Sequence, residues 1–374
     1  MSHFDNLHDA DRGFNSFNGD DISTKVIGLE QEGIQMLSQI TSRLYQEVES
    51  FAASGDEKEL NDSPFKDKIL LNQENGQALS HPNQKFLNPL MRSISHSETS
   101  LLFFLMPAEL AGQLSVQVAE YAKQRSCMSL VMLFTTETDE KLAAEAMQEG
   151  VLHCRGTFHG IIPFSIADIP QNIRKLNNHL GFTLSNLMHQ SIKNILKVVC
   201  TEGVINVDLE DILDVTAYPN NLLNVFSTAT KGKERANEAL LNCASYFNQL
   251  PSSLHTLEYM ILYLTVSDLD HFDMEELDVL TDGFRECTGK DTNVIFGVST
   301  DGNFESDELE VTVFLSRSTE PKIIEEKIIK TPIEGLKIDR LGSDLLSYDR
   351  RQFSSQEEVY EDILDKVKKF LNDQ

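Results

Sequence analysis

Few residues of this chain have the types and spacing that catalysis or ligand binding requires. The clearest set is GVINVDLEDI at 203–212, in which Asn206, Asp208 and Asp211 follow a glycine. Aspartate directly before a helical pattern, with acidic residues in the first turn, is typical of a helix N-cap. From the residues alone, this set is therefore either the cap of a helix or a functional polar loop that precedes one.

Known catalytic and metal-binding signatures are missing elsewhere. The ten histidines are scattered without an HExxH pattern, no GxxxxGK[ST] occurs, and SHSET at 95–99 lacks the context of a nucleophile elbow. The five cysteines are widely spaced and form no CxxC, which predicts neither a disulfide framework nor a zinc site. We therefore expect no metal, no cofactor and no independent enzyme.

The charge balance excludes one class of partner. The chain has 59 Asp and Glu against 32 Lys and Arg, a formal net charge of −27, whereas nucleic-acid binding needs clustered Lys and Arg. The start, MSHFDNLHDADRGF, is polar and acidic, and no apolar run approaches the ~18 residues of a membrane-spanning helix. We expect a cytoplasmic protein that does not bind nucleic acid and does not insert stably into membranes.

The apolar pattern predicts two kinds of structure. LLFFLM at 101–106, LVMLF at 130–134 and GIIPF at 160–164 read as buried strands separated by helices, which indicates a parallel sheet covered on both faces. A long helix runs from about Leu176 to Cys200. Beyond Gly203, strands and helices of more mixed order indicate an α+β domain.

The predicted organisation has five segments. They are a flexible N-terminal tail at 1–22, a parallel-sheet domain at 23–178 with an irregular stretch at 53–98, a central helix at 179–203, a C-terminal domain at 204–318, and a tail at 319–374. The tail contains an amphipathic helix at 354–371 with capping-box spacing between Ser354 and Glu357. That helix docks on its own domain, binds a partner or lies on a membrane surface, the last being the least favoured because it carries acidic residues.

From about residue 24 to 318 the chain resembles FtsZ, the bacterial homologue of tubulin. GVINVDLEDI at 203–212 is similar to the synergy loop of that family, a glycine followed by Asn-x-Asp-x-x-Asp at the foot of the central helix. KGKERANEA at 231–239 resembles the family's glycine and Arg-Ala stretch, and residues 273–316 resemble its C-terminal domain. The resemblance implies an α/β, tubulin/FtsZ-like fold, with a Rossmann-like parallel-sheet N-terminal domain, a long central helix and an α+β C-terminal domain.

The loops that bind nucleotide phosphates in that family are altered here. After the first strand the family has a run of glycines, whereas this chain has Glu30 and Glu32 between Gly28 and Gly33. In place of a GGGTGTG loop it has PAELAGQ, with Pro107 and Glu109 and one glycine. A carboxylate near a phosphate is repelled by roughly 4 kcal/mol at ~4 Å and intermediate dielectric, which predicts loss of GTP binding.

Other nucleotide contacts implied by the resemblance are also changed. Asp139 stands for an acidic contact, but the arginine expected one turn later is Ala143, and the guanine-reading aspartate of the central helix corresponds to Asn186. The synergy loop, in contrast, is retained. In the family this loop closes over the nucleotide of the next subunit, and its acidic residues orient the attacking water.

We therefore expect a pseudo-GTPase of the cell-division cytoskeleton, a filament component or regulator. Its synergy-loop face, with Asn206, Asp208 and Asp211, would contact the true FtsZ of the same cell or another copy of the chain. Two alternatives stay open: a scaffold that assembles itself without nucleotide, and a residual weak GTPase.

Overall fold

The computed structural model describes residues 23–45, 48–71, 100–122, 127–165, 180–216, 221–247, 257–288 and 293–318. All of these residues belong to one compact unit. The predicted tails at 1–22 and 319–374, with the helix at 354–371, lie outside the described residues. Within the described residues, no helix is long and apolar enough to cross a membrane.

Ten strands form one sheet in the order β3-β2-β1-β4-β5-β6-β7-β10-β8-β9. Their bounds are β1 Ser23–Leu29, β2 Glu49–Ser54, β3 Asp67–Leu70, β4 Ser100–Pro107, β5 Cys127–Thr135, β6 Gly160–Ser165, β7 Asn221–Lys231, β8 Leu257–Val266, β9 Asn293–Thr300 and β10 Glu308–Ser318. All neighbours from β3 to β7 are parallel, β10 is antiparallel to β7 and β8, and β8 and β9 are parallel. The predicted α/β fold class is confirmed.

The parallel half is buried on both faces. Each residue from Leu101 to Met106 in β4 and from Leu130 to Phe134 in β5 is buried, which explains why these strands are continuous apolar runs in the sequence. Because the strands are parallel, their carboxyl ends meet at one edge of the sheet. This edge, at Leu29, Ser54 and Pro107, is where a ligand site is expected in such folds.

Eight α-helices cover the described part of the sheet. They are α1 Glu30–Thr41, α2 Glu57–Asp62, α3 Ala111–Ala122, α4 Glu140–Cys154, α5 Leu180–Cys200, α6 Leu209–Thr216, α7 Arg235–Phe247 and α8 Met274–Thr288. The long helix predicted before Gly203 is α5. Its buried residues belong to one core cluster that also contains Phe103 of β4 and Phe314 of β10, so α5 packs on both halves of the sheet.

The joint between the two halves is narrow. Among the described residues, β6 pairs with β7 through Ile161 and Leu222, whereas it pairs with β5 over six consecutive residues, Gly160 to Ser165. Pro163 of β6 has no N–H to donate to a ladder, in keeping with this limited pairing. The predicted domain boundaries, on either side of the central helix at 179–203, lie between these two strands in the sequence and stay a prediction.

Part of the stretch predicted as irregular is ordered. Between residues 53 and 71 the chain completes β2, forms α2 and adds β3, so the prediction of an irregular 53–98 is wrong for this part. The apolar run Ile69–Leu71, which has the composition of a short strand, overlaps β3 at Ile69 and Leu70. The prediction missed α2 because this six-residue helix is too short to show a 3.6-residue repeat.

The KGKERANEA stretch serves as a structural anchor. Gly232 has φ +91°, which lets the chain turn from β7 into α7, and Arg235 is buried at the start of that helix. The Arg235 guanidinium binds Glu276 of α8 with two hydrogen bonds of 2.7 and 2.8 Å and donates to the carbonyls of Ser306 and Glu308. It therefore ties α7, α8 and the loop before β10 together.

A buried ion pair joins the central helix to the second half. Lys197 of α5 binds Glu310 of β10, and the Ser227 hydroxyl of β7 donates to Glu310 at 2.8 Å. The Lys197 ammonium also lies 5.5 Å from the centre of the Phe304 ring. Burial alone would raise the pKa of Glu310, but the charge and hydrogen bond of Lys197 outweigh it and hold the pKa below its usual value of 4.5.

Replacing one member of this pair leaves the other charge buried without its counter-ion. We expect Lys197→Met to lower the free energy of unfolding in urea by about 3 kcal/mol, the lower end of the range for a buried pair, because 18% of the Glu310 side chain is exposed. The double variant Lys197→Met/Glu310→Leu should recover most of this loss. If the single variant were as stable as the wild type, the pair would have no role in joining the halves.

The same pair predicts a dependence on pH. Since the pKa of Glu310 is lower in the folded state, its contribution to stability is present above pH 4.5 and is lost as the pH falls through the folded pKa. Glu310→Gln should therefore lose less stability than the wild type on acidification below pH 4.5, measured by urea unfolding at each pH.

Candidate functional site

The candidate site is the carboxyl edge of the parallel strands, at the point where the strand order reverses. From β1 the sheet extends to β2 and β3 on one side and to β4, β5 and β6 on the other. Open sheets of this order bind ligands in the crevice between the two central strands, here β1 and β4. The residues that follow these strands are Glu30 and the turn at Ala108–Leu110.

The corner after β1 contains no loop. Helix α1 begins at Glu30, directly after the last residue of β1. A Cβ atom on Gly28 would lie 2.6 Å from the carbonyl oxygen of Gly33, and one on Gly33 would lie 2.5 Å from that of Leu105. Both glycines are therefore required by the close packing of the first turn of α1 against β1 and β4.

Glu30 fills this corner with a carboxylate. Its backbone has φ +55°, in the left-handed region that is unfavourable for a residue with a side chain. The carboxylate lies 2.7 Å from the Ser54 hydroxyl, which is equally close to Oε2 of Glu59 and shares its one proton between the two carboxylates. It also accepts a hydrogen bond of 3.1 Å from the backbone N–H of Gly55, directly after β2. These donors at the end of β2 are therefore bonded within the chain.

Glu32 is placed differently from Glu30. It is exposed in the first turn of α1, where a negative charge interacts favourably with the helix dipole. The structure therefore brings one of the two acidic residues of this corner, Glu30, onto the strand ends.

The corner after β4 carries the second carboxylate at the crevice. Pro107 ends the strand and is followed by a 3-10 turn, Ala108–Leu110, which leads into α3. The exposed Glu109 accepts a short hydrogen bond from the buried Thr135 hydroxyl at the end of β5. The backbone N–H of Glu137 donates to the same hydroxyl at 3.1 Å, so Thr135 is bonded within the chain.

Helix α4 packs closely on this turn. A Cβ on Gly150 of α4 would lie 3.1 Å from the Ala108 carbonyl oxygen, and one on Gly112 would lie 3.1 Å from Nε2 of His153. Between the turn and α4 lies an open cavity of about 400 Å³ whose lining includes Glu109, Glu145 and Glu149 but no lysine or arginine. Its charge disfavours an anionic ligand.

Asn186 of α5 is hydrogen-bonded within the chain. The Arg43 guanidinium, just after α1, donates a short hydrogen bond to Oδ1 of Asn186 in α5. One turn along α5, Nε2 of the buried His189 donates to the Arg43 carbonyl oxygen at 2.9 Å. These contacts tie the end of α1 to the central helix and use the side-chain oxygen of Asn186.

Asp139 is a helix cap. Its carboxylate accepts hydrogen bonds of 3.0 Å from the backbone N–H groups of Lys141 and Leu142 at the start of α4. Ala143, where the resemblance implies an arginine, is buried in the same helix.

The 203–211 loop is held by its own polar side chains. Oδ1 of Asn206 accepts from the Gly203 N–H at 2.6 Å, and Oδ1 of Asp208 accepts from the N–H groups of Glu210 and Asp211 at 2.8 and 3.0 Å. Asp211 in turn accepts from the Asp208 N–H at 3.0 Å, which completes a reciprocal cap of α6. Asn206 and Asp208 remain exposed, so the loop is both a cap and an accessible surface.

Two apolar residues of this loop were missed by the sequence reading. Val204 and Ile205 are 57% and 41% exposed. Their backbone groups bond to Val298 of β9, so they lie along the edge of the sheet. A VINV string looks like part of a buried strand, and no sequence signal distinguishes it from an exposed edge segment.

No family model and no curated protein matches this sequence. Solved structures do match. An empty FtsZ dimer from M. jannaschii has a TM-score of 0.56 at 16% identity, covering 84% of this chain and 92% of that one. CetZ from Methanosaeta thermophila gives 0.55 at 13% identity over 94% and 98%. GDP-form TubZ protofilaments from Bacillus thuringiensis serovar israelensis give 0.59 at 11% identity over 100% and 99%. The chain therefore has the tubulin/FtsZ fold, as the resemblance implied.

The strained backbone of Glu30 predicts an unusual order of stability for two variants at this position. Glu30→Ala loses the side-chain hydrogen bonds and keeps the strain, whereas Glu30→Gly loses the same bonds but relieves the strain. We expect the glycine variant to be more stable than the alanine variant by about 1 kcal/mol in urea unfolding. The opposite order would mean that the left-handed conformation at this corner is not adopted in solution.

Two substitutions of Asp208 distinguish its capping oxygen from its negative charge. Asp208→Ala should lower the free energy of unfolding by about 1 kcal/mol, the usual value for an N-cap. Asp208→Asn should cost much less, because its side-chain oxygen still accepts from the first turn. Equal stabilities for the wild type and the alanine variant, compared by urea unfolding, would contradict the observed cap.

Proposed function

We propose that this chain is a tubulin/FtsZ-fold pseudo-GTPase of the cytoplasm that acts by association. It does not bind GTP, and it serves as a component or regulator of a cell-division filament through the face that carries Asn206, Asp208 and Asp211. The observation that carries the proposal is the contrast between its two ends. The crevice end is occupied by the chain's own side chains, while the loop end keeps an ordered, accessible polar surface.

The phosphate half of the crevice supports the absence of GTP binding. The Glu30 carboxylate engages Ser54 and Gly55, and Glu109 engages Thr135, so donors at two of the strand ends are already used. A triphosphate would have to displace these carboxylates and would meet their negative charge at close range. Pro107 adds no N–H, and the glycines at 28 and 33 have no space for a looser loop.

The half of the crevice that would hold the guanine base also supports the absence of GTP binding. A guanine that reached the central helix would compete with Arg43 for Asn186 and would have to break the His189 contact as well. An amide also lacks the charge by which a carboxylate holds the two N–H groups on the guanine edge. We therefore propose that Glu30, Pro107, Glu109 and Asn186 together prevent nucleotide binding, with Glu32 adding negative charge to the surrounding surface.

The loop end is suited to another protomer's nucleotide. Asn206 and Asp208 are exposed beside the half-buried Asp211, and the reciprocal cap holds all three in fixed positions. In a contact with a true FtsZ, this loop would face the partner's nucleotide and alter its hydrolysis. Because the chain would offer no nucleotide of its own, it would end or modify a filament of the partner.

Self-assembly without nucleotide is the second candidate. It is favoured by the likeness to TubZ, which was solved as GDP-form protofilaments. With a net charge of −27, two copies repel each other at low ionic strength, so this assembly should require salt or cations. Electron microscopy of the purified protein with and without GTP distinguishes this candidate from the first.

Calorimetric and thermal titration with GTP tests the nucleotide part of the proposal. We expect no heat of binding and no stabilisation at millimolar GTP, since a ligand at 100 times its Kd adds about 2.7 kcal/mol to the unfolding free energy. A saturable shift would favour the residual GTPase instead.

The association part is tested on the GTPase rate of FtsZ from the same cell, titrated with this protein. We expect the rate to change with the wild type and to stay at its basal value with Asp211→Asn, which keeps a side-chain oxygen for the cap but removes the charge. Asp214→Asn, an exposed site on the same helix, is the matched control and should act like the wild type. An unchanged rate with the wild type up to tens of micromolar would contradict the proposed partner.

A further inference from the structure

Strand β9 forms one edge of the ten-stranded sheet. Its sequence, Asn293 to Thr300, carries no charged residue, although the chain as a whole has a net charge of −27. The first half of the strand is less buried than the second, and the Phe296 ring is 38% exposed. Exposed apolar edge strands are templates for pairing with another chain unless something covers them.

The second half of this edge is covered by the chain itself. Ile205 donates to the Val298 carbonyl at 3.2 Å and accepts from the Val298 N–H at 3.0 Å, and Val204 also donates to that carbonyl. This bridge is antiparallel to β9. Beyond Ile205 the buried Val207 side chain lies against Gly297 of β9, and Asp208 then begins the cap of α6.

In the part of the chain that the structure describes, the first half of the edge is open. Val298 directs both of its backbone groups away from β8, and in a strand every second residue points its N–H and C=O to the same side. Phe296 and Val294 therefore direct their backbone groups outward as well. No other residue in the described ranges is bonded to these groups, and the exposed Val204 and Ile205 continue the same apolar surface.

We propose that the open half of β9 binds an extended segment of a partner protein as an additional antiparallel strand. The segment would exchange backbone hydrogen bonds with Val294 and Phe296 and place apolar side chains on Phe296 and Ile205. Flanking lysine or arginine would match the exposed Glu202, Asp208 and Glu210 nearby. This inference shares Asp208 with the face of the proposed function but goes beyond that function, since it involves neither nucleotide nor the Asp211 charge.

A second copy of the chain is a poorer occupant for this edge. The open length from Asn293 to Phe296 is roughly 13 Å at about 3.3 Å per residue. Pairing two folded copies over so short a length would bury far less than the about 1,200 Å² of a stable interface. It would also bring together two bodies that each carry a charge of −27, whereas a basic extended segment is attracted.

The test uses the full chain and a nine-residue probe peptide of alternating valine and threonine with a lysine at each end. We expect saturable binding by fluorescence anisotropy, together with slower hydrogen exchange at the amides of Val294 and Phe296. Phe296→Pro should weaken binding at least tenfold. Because the Phe296 N–H points away from β8, proline removes no bond of the sheet ladder at this edge position.

Phe296→Val is the matched control, since it keeps the N–H and an apolar strand-forming side chain, and it should bind within about threefold of the wild type. If circular dichroism shows that Phe296→Pro is unfolded, two peptides are compared on the wild-type protein instead. The peptide that is N-methylated at alternate residues should then bind at least tenfold more weakly than the unmodified one. Equal binding of both peptides, or no binding by the wild type, would overturn the proposal.

Two further outcomes are decisive. A concentration-dependent dimer in sedimentation that Phe296→Pro abolishes would assign this edge to a second copy and overturn the proposal. The Asp211→Asn variant should bind the peptide as tightly as the wild type does. The peptide assay therefore tests the edge strand, and the GTPase assay separately tests the proposed FtsZ contact.

Discussion

The arrangement of the crevice depends on the direct passage from β1 into α1. With no residue between strand and helix, the first turn of α1 lies so close to β1 and β4 that only glycine fits at positions 28 and 33. The same geometry forces Glu30 into the left-handed region and aims its carboxylate at the end of β2.

The close packing after β1 also explains why hydrogen-bond donors of the crevice are bonded without a ligand. Donors at strand ends must be bonded when they are buried, and here the Glu30 and Glu109 carboxylates accept from Ser54, Gly55 and Thr135. A carboxylate supplied by the chain is always present, so it can stabilise the fold without any bound ligand. The left-handed backbone of Glu30 costs part of that stabilisation, by about 1–2 kcal/mol.

The sequence predicted the parts of this fold that depend on local pattern. LLFFLM is a continuous apolar run, and α5 has an apolar repeat over many turns, so both were recognisable without knowledge of their neighbours. The contacts of the site were not, because they join distant residues: Glu30 is 24 residues from Ser54, and Arg43 is 143 residues from Asn186. Nor does the sequence distinguish Val204 and Ile205, which lie exposed along an edge, from a buried strand of the same composition.

The cap interpretation of the loop at 203–211 is confirmed, and the functional interpretation stays a prediction. The cap accounts for Asp208 and Asp211 in terms of helix stability, yet it also fixes where the remaining carboxylate oxygens lie. A cap that is exposed on one side is a rigid surface, and rigid surfaces lose little conformational entropy when a partner binds. Structural and recognition roles are therefore compatible at this loop.

The narrow joint between β6 and β7 has a mechanical consequence. A load transmitted from one half of the sheet to the other would meet a single residue pair, Ile161 and Leu222, in place of a continuous ladder. Most of that load would pass through the side chains of α5 and its Lys197–Glu310 pair, which resist sliding by packing rather than by rows of backbone bonds. Shear between the two halves would therefore displace the central helix before it disrupted either half of the sheet.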